Sequence, residues 1–262
     1  MSRNLHHITK KHLGQHWLTS PGIKKRILTA CDLKPHDIVL EIGPGAGALT
    51  YAIAREVRQL FAVEKDARLV ENLKQNLSFK NSQIFCADIL TFDLAQLPGL
   101  SKIIGNLPYN IASPILGKLL EKTKLSTPMF FMVQYEFAKR MTAGPHSKDY
   151  GALSCFIQYF SQADMLFHIK PTAFKPRPKV MSSFVKVQPR IHVPQAKNEG
   201  LLFRVIRQAF QQRRKTVANA LQLFLPKGKS TDIYSQLHIN PKDRPENLSL
   251  DDYIHISNCL RA

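Results

Sequence analysis

The chain has 262 residues, 44% of them hydrophobic, which is enough for an α/β domain with a sizeable core plus a smaller appendage and excludes wholesale disorder. Lys and Arg number 37 against 19 Asp and Glu, a formal net charge of +18 that points to a polyanionic partner such as nucleic acid. The cysteines Cys31, Cys86, Cys155 and Cys259 show no metal-ligand spacing, the longest apolar run (Pro128 to Val133) is too short for a bilayer, and the N-terminus lacks an apolar signal segment, so the expected protein is cytoplasmic, with no membrane contact and no metal.

In chain order, Asp37–Ile42 reads as a buried strand ending in a glycine loop, and Leu49–Val57 as a helix. Leu60–Val63 is a second strand, closed by Glu64. Ala67–Leu77 is helical, with Leu69, Val70, Leu73 and Leu77 on one face. Gln83–Ala87 is a third strand ending at Asp88, and Ser101–Gly105 a fourth before Asn106. Met129–Gln134 is a fifth strand, with a helix starting at Glu136. Alternating strands and helices predict a mostly parallel sheet with right-handed crossovers, which binds ligands beyond the carboxyl ends of its strands. Gly43, Glu64, Asp88 and Asn106 all stand at such ends.

Beyond residue 160 the pattern changes. Met165–Ile169 and Ser183–Val187 predict an antiparallel pair across the proline-rich connection Pro171–Pro178. Pro189–Asn198 reads as a linker. From Gly200 onward the pattern is helical, with Leu202, Val205, Ile206, Ala209 and Phe210 as an apolar stripe and Ser249 as the N-cap of a last helix. The expected domains are therefore residues 1–190 (α/β) and 195–262 (small and helical).

Two boxes carry chemistry. In Glu41-Ile-Gly-Pro-Gly-Ala-Gly-Ala-Leu-Thr50 the glycines Gly43, Gly45 and Gly47 let backbone approach a ligand closely. The spacing G-x-G-x-G differs from the G-x-G-x-x-G of dinucleotide sites, and suits a ligand without phosphate whose carboxylate needs amide donors. S-adenosylmethionine is such a ligand, and Glu64 stands where a carboxylate would accept its ribose hydroxyls. In Asn106-Leu-Pro-Tyr109 the Asn106 side-chain oxygen and the Leu107 carbonyl could accept the two N–H groups of an exocyclic amine, drawing its lone pair out of the ring. Pro108 restricts the backbone there, and Tyr109 offers a face for a flipped base. No strong base is needed, because the alkylated nitrogen becomes acidic; positioning and hydrogen bonding carry the catalysis.

The cations are clustered. Residues 1–31 hold no acid, and none lies between Asp164 and Glu199. Phe174-Lys-Pro-Arg-Pro-Lys179 joins an aromatic to Lys175, Arg177 and Lys179, and Arg213-Arg214-Lys215 forms another basic segment. Both suit contact with a phosphate backbone.

Together these residues resemble the small-subunit ribosomal RNA adenine dimethyltransferase family, whose bacterial member confers kasugamycin sensitivity. The likeness runs from Leu13-Gly-Gln-His-Trp-Leu18 through the glycine loop, Glu64, Asp88 and Asn106-Leu-Pro-Tyr-Asn-Ile111. It continues in Gln134–Arg140, Phe174–Ser183, Arg213-Arg-Lys-Thr216 with Asn219 and Leu221, and Glu246-Asn-Leu-Ser249. It implies a Rossmann-like class I methyltransferase fold, α/β, with a seven-stranded mostly parallel sheet and a small α-helical C-terminal domain that binds rRNA. It also implies S-adenosylmethionine as cofactor and dimethylation of two adjacent adenosines near the 3′ end of 16S rRNA, late in assembly of the small ribosomal subunit. By position, His16, Leu18, Gly43, Gly45, Glu64, Asp88 and Asn106 would contact the cofactor, and Asn106, Tyr109 and Phe174 the target adenine. Nothing in the sequence requires more than a monomer.

The chain departs from the family at His16-Trp17, where Asn-Phe is usual, at Met181, often Asp, and at Tyr135, usually a cation. Three other readings compete: a macrolide-resistance enzyme acting on large-subunit RNA, a non-catalytic assembly factor, and a DNA adenine methyltransferase. The last lacks an insertion long enough to read a duplex.

Overall fold

The computed structural model describes residues 16–108, 111–121, 127–190, 196–225 and 230–260. Tyr109 lies outside the described residues. The chain forms two compact units.

The first unit comprises Asp164–Pro189 and the described residues up to Ala138. It opens with the two-residue strand β1 (Trp17–Leu18) and helix α1 (Pro21–Cys31), an element that the sequence pattern does not announce. Its signals are local: Ser20 caps the N-terminus by accepting from the Ile23 amide, Pro21 starts the helix, and Asp32 ends it in the left-handed region at φ 47°. Then come β2 (Ile38–Ile42), α2 (Thr50–Glu56), β3 (Gln59–Glu64), α3 (Ala67–Asn76), β4 (Ser82–Cys86), β5 (Lys102–Asn106), α4 (Ala112–Glu121), β6 (Met129–Gln134) and α5 (Tyr135–Thr142). Helix α6 (Ala152–Phe160) precedes β7 (Ser161–Ile169), followed by β8 (Phe174–Lys175) and β9 (Ser182–Pro189).

The main sheet has seven strands in the order β4-β3-β2-β5-β6-β9-β7. β2, β3, β4, β5 and β6 pair in parallel, and β9 runs antiparallel to β6 in the register Met129↔Val187 to Gln134↔Ser182. The central strands are continuously apolar because helices cover both faces; Val39, Leu40, Leu60, Ala62, Ile103, Met129 and Phe131 are fully buried. Moving outward from β2, the order reverses direction between β3 on one side and β5 on the other, which opens a crevice at the strand ends. The 171–178 connection is not a plain loop. Its β8 pairs antiparallel with β1, matching Trp17 with Lys175 and Leu18 with Phe174.

The second unit gathers Lys139–Ala163 and the described residues from Ala196 on, so α6 joins the C-terminal helices although it precedes residue 190. Those helices are α7 (Glu199–Gln211), α8 (Val217–Ala220), α9 (Ser230–Gln236) and α10 (Leu250–Cys259). Asn198 and Ser249 cap α7 and α10 through side-chain oxygens. The α7 stripe of Leu202, Val205, Ile206 and Ala209 is buried against Tyr150, Tyr159, Tyr234 and Tyr253. These tyrosines keep their hydroxyls partnered, for example Tyr253 to the Pro245 carbonyl at 2.8 Å and Tyr159 to Glu199 at 3.0 Å.

Candidate active site

The crevice at the end of β2 is lined by Trp17, Leu18, Glu41, Gly43, Pro44, Gly45, Ala46, Ala48, Leu49, Asn106 and Met132. The glycine loop can line it because Gly43 and Gly45 hold φ of 66° and 59°, values that side chains other than glycine seldom adopt. A Cβ on Gly45 would also come within 3.6 Å of the Trp17 indole.

Glu64 closes β3 and is 8% exposed. Its Oε2 accepts from the Gly45 amide at 3.1 Å and its Oε1 from the Asp66 amide at 2.9 Å, so the carboxylate braces the loop. Each oxygen retains a lone pair for a ligand hydroxyl. Asp88, beyond β4, accepts from the Leu90 amide at 2.9 Å and pairs with Lys65 at 2.8 Å. The Lys65 ammonium, then the Leu90 amide, hold the Asp88 carboxyl below its ordinary range.

Asn106 is the last residue of β5. Its Nδ2 donates to the His16 carbonyl at 3.0 Å. A carbonyl can only accept, so the amide nitrogen must face His16 and Oδ1 must face the other way. The Leu107 amide is tied to the Met132 carbonyl at 3.1 Å, fixing the next residue to β6. Pro108 follows directly.

Other expected residues are placed less directly. The His16 ring bonds the Pro176 carbonyl through Nδ1 at 2.8 Å, while its carbonyl holds Asn106. Leu18 and Phe174 are buried, at 3% and 4% exposure, in one apolar cluster with Phe167 and Phe184. A base stacking on Phe174 would need that ring uncovered. Lys175, Arg177 and Lys179 are exposed. In the second unit Arg214 and Lys215 are exposed, but Arg213 spends its guanidinium on Glu246 at 3.0 Å and on the Lys148 carbonyl at 2.9 Å. The same Glu246 accepts, through its own carbonyl, from the His146 amide. Arg213 is thus a clamp within the helical unit.

Two residues of the crevice with polar side-chain atoms, Glu41 and Trp17, carry no role from the sequence alone. Glu41, 3% exposed inside β2, leaves Oε2 without a partner, as Trp17 does its indole Nε1. Burial pushes the Glu41 carboxyl up to about 7; the Thr50 hydroxyl tempers this without closing a well-formed hydrogen bond, and the negative Glu64 adds to it. The signal for Glu41 was present: one acid in an otherwise apolar strand, Ile38-Val-Leu-Glu-Ile42.

Among the described residues no group of three or more His, Cys, Asp or Glu could hold a metal ion, and no helix is long and apolar enough to cross a membrane.

Sheet order, glycine loop and the acids at successive strand ends define a class I methyltransferase. A dimethyladenosine transferase from Plasmodium falciparum superposes with TM-score 0.78 at 26% identity, over 92% of this chain and 96% of that one. The 23S rRNA methyltransferase ErmE shares the fold, with TM-score 0.71 at 23% identity, over 92% of this chain and 98% of that one. The family model for ribosomal RNA adenine dimethylase matches residues 6–262. Ribosomal RNA small subunit methyltransferase A of Halothermothrix orenii is 40% identical over 95% of this chain and 87% of its own length, and that of Pseudomonas syringae pv. tomato 39% identical over 99% and 97%. The chain belongs to the ribosomal RNA adenine dimethylase family and is an S-adenosylmethionine-dependent methyltransferase of that kind.

Proposed function

We propose that the protein dimethylates the N6 amino groups of two adjacent adenosines near the 3′ end of 16S rRNA in the small ribosomal subunit, in the cytoplasm and late in subunit assembly. The observation that carries this reading is the orientation of Asn106: an amide locked by the His16 carbonyl, with Oδ1 turned outward as an acceptor at the end of β5. The names of the small-subunit relatives support the choice of RNA.

The crevice fits S-adenosylmethionine. It combines a side-chain-free loop at Gly43 and Gly45, an acceptor pair on Glu64, a second acid at Asp88, and two orphaned polar atoms on Glu41 and Trp17. When bound, that cofactor supplies an electrophilic methyl group. Gly43 and Gly45 offer close backbone approach, Glu64 accepts the ribose hydroxyls, and Asp88, Leu18 and His16 complete the surround. Asn106 Oδ1 and the Leu107 carbonyl accept the N–H groups of the target amine, turning its lone pair toward the methyl group. Pro108 keeps Leu107 extended and Tyr109 flanks the base, while Phe174 joins it only where RNA binding uncovers that ring. The nitrogen would take the methyl group with S-adenosylhomocysteine as the leaving group and one proton lost to solvent; the monomethylated amine keeps one N–H for these acceptors, so a second transfer can follow once fresh cofactor is bound. Lys175, Arg177, Lys179, Arg214 and Lys215 contact RNA phosphates, and the helical region 195–262 with α6 serves as the RNA-binding part of a monomer.

The test is methyl transfer from radiolabelled S-adenosylmethionine to unmethylated small and large subunits separately, with the nucleosides resolved. Dimethyladenosine from small subunits alone is expected. Label from large-subunit RNA would move the protein to the resistance-enzyme activity. Tight binding to small subunits without label would make it an assembly factor.

A further inference from the structure

The Trp17 indole is buried at its nitrogen, lines the crevice, and has no acceptor within the described chain. An indole N–H can only donate, so whatever completes it is an acceptor. Position narrows the choice. Glu64, read above as the acceptor of the ribose hydroxyls, and Asp88 sit one and two strands out from β2, on β3 and beyond β4. Trp17 instead shares its space with Glu41 of β2, Gly43 and Gly45 of the loop that follows it, and Asn106 of β5. Its Cδ1 and Nε1 are the atoms that a Cβ on Gly45 would meet at 3.6 Å, so the N–H edge lies over the loop. In an S-adenosyl cofactor, the group left for this end is the methionyl zwitterion. Glu41, with one unpartnered carboxylate oxygen, draws the ammonium, which leaves the carboxylate for a donor.

We propose that Trp17 is a cofactor-binding residue whose indole N–H donates to the methionyl carboxylate. The proposal rests on the cofactor reading above. The ribbon of β1 with β8 holds the indole in place, since Trp17 opposes Lys175 and Leu18 opposes Phe174. A Phe at this position would fill similar space but has no N–H. Trp17 is also the only tryptophan in the sequence, so the protein's indole emission reports on this one site.

The test is calorimetric titration of the wild type and Trp17→Phe with two ligands: S-adenosylhomocysteine, and its decarboxylated analogue with the ammonium kept. Trp17→Phe should weaken S-adenosylhomocysteine about tenfold, the ordinary worth of a hydrogen bond to a charged group, and leave the analogue unchanged. Indole emission of the wild type should shift with S-adenosylhomocysteine and much less with the analogue. Equal loss for both ligands would make the indole a packing surface and overturn the proposal, as would no loss for either. Binding of neither ligand to the wild type would sink the cofactor reading itself, and the proposal with it.

Discussion

At the residue scale, Asn106 and Glu41 make opposite use of burial. Asn106 is oriented by one hydrogen bond, so its loss should be specific. Asn106→Ala is expected to cut methyl transfer by roughly 100-fold or more, the cost of deleting a positioned polar group at the reacting centre. Calorimetric binding of S-adenosylhomocysteine should persist in this variant. Transfer near the wild-type rate would defeat the role given to Oδ1. Glu41 predicts a pH effect. Its carboxyl would titrate at 4.5 in the unfolded chain and titrates at about 7 when folded. Between those values the unfolded chain has released a proton that the folded one still holds. Glu41 should therefore contribute a loss of stability to the ligand-free protein as pH rises through that window, on the order of 3 kcal/mol, with no further contribution from this group above it. Glu41→Gln keeps the shape without the charge. Its melting temperature should exceed that of the wild type at about pH 8 and converge with it at about pH 5; parallel curves would remove Glu41 as the buried acid. The placement of these residues was legible: Gly43, Glu64, Asp88 and Asn106 stand at or just beyond strand ends, as their order in the sequence led one to expect. Trp17 was not, because whether an indole nitrogen is partnered depends on packing that no local pattern encodes.

At the element scale, the segments 213–216 and 246–249, both part of the family resemblance, prove to brace one another. Arg213 holds Glu246, Thr216 caps α8, and Ser249 caps α10 with Asp252 reciprocating. The basic triplet expected to meet RNA is therefore better read by exposure than by charge. Arg213→Ala should lower the melting temperature by about 2–4 °C, the shift for about 1 kcal/mol in a chain of this size. Arg214→Ala with Lys215→Ala should leave it unchanged while reducing the salt slope of RNA binding by about 0.7–0.9 for each phosphate no longer neutralised. A matching thermal loss in the double variant would show that those cations also serve the fold. Element boundaries were legible to within a residue or so for β2 to β6, where buried apolar runs stop at glycine or an acid. α1, α4 and α6 escaped: the N-terminal basic stretch masks α1, with only Ile27 and Cys31 buried, and the largely apolar Ala112–Glu121 and Ala152–Phe160 carry few polar residues to mark a face.

At the scale of the whole molecule, the charge of +18 is the largest single signal in the sequence. Affinity for unmethylated small-subunit RNA should fall steeply and linearly on a double-logarithmic plot against salt, and filter binding across a salt series checks it. A shallow slope would mean that the basic excess is spent on solubility. The parallel core of the sheet was anticipated from alternating strands and helices, though the order of its strands was not read in advance. The membership of α6 in the helical unit could not, because it depends on which apolar faces meet across long sequence separations.

The ribbon of β1 with β8 has a bearing on the order in which the protein is made. His16 and Pro176, which it joins, are 160 positions apart, and His16 also carries the carbonyl that orients Asn106, 90 positions on. During synthesis the glycine loop, Glu64, Asp88 and Asn106 all emerge well before the segment that anchors the strand over them. A nascent chain halted short of residue 174 would have the sheet's central strands without a fastened Trp17 or a locked amide. The fastened strand and the locked amide are thus long-range features, complete only on a chain that already extends past Pro176.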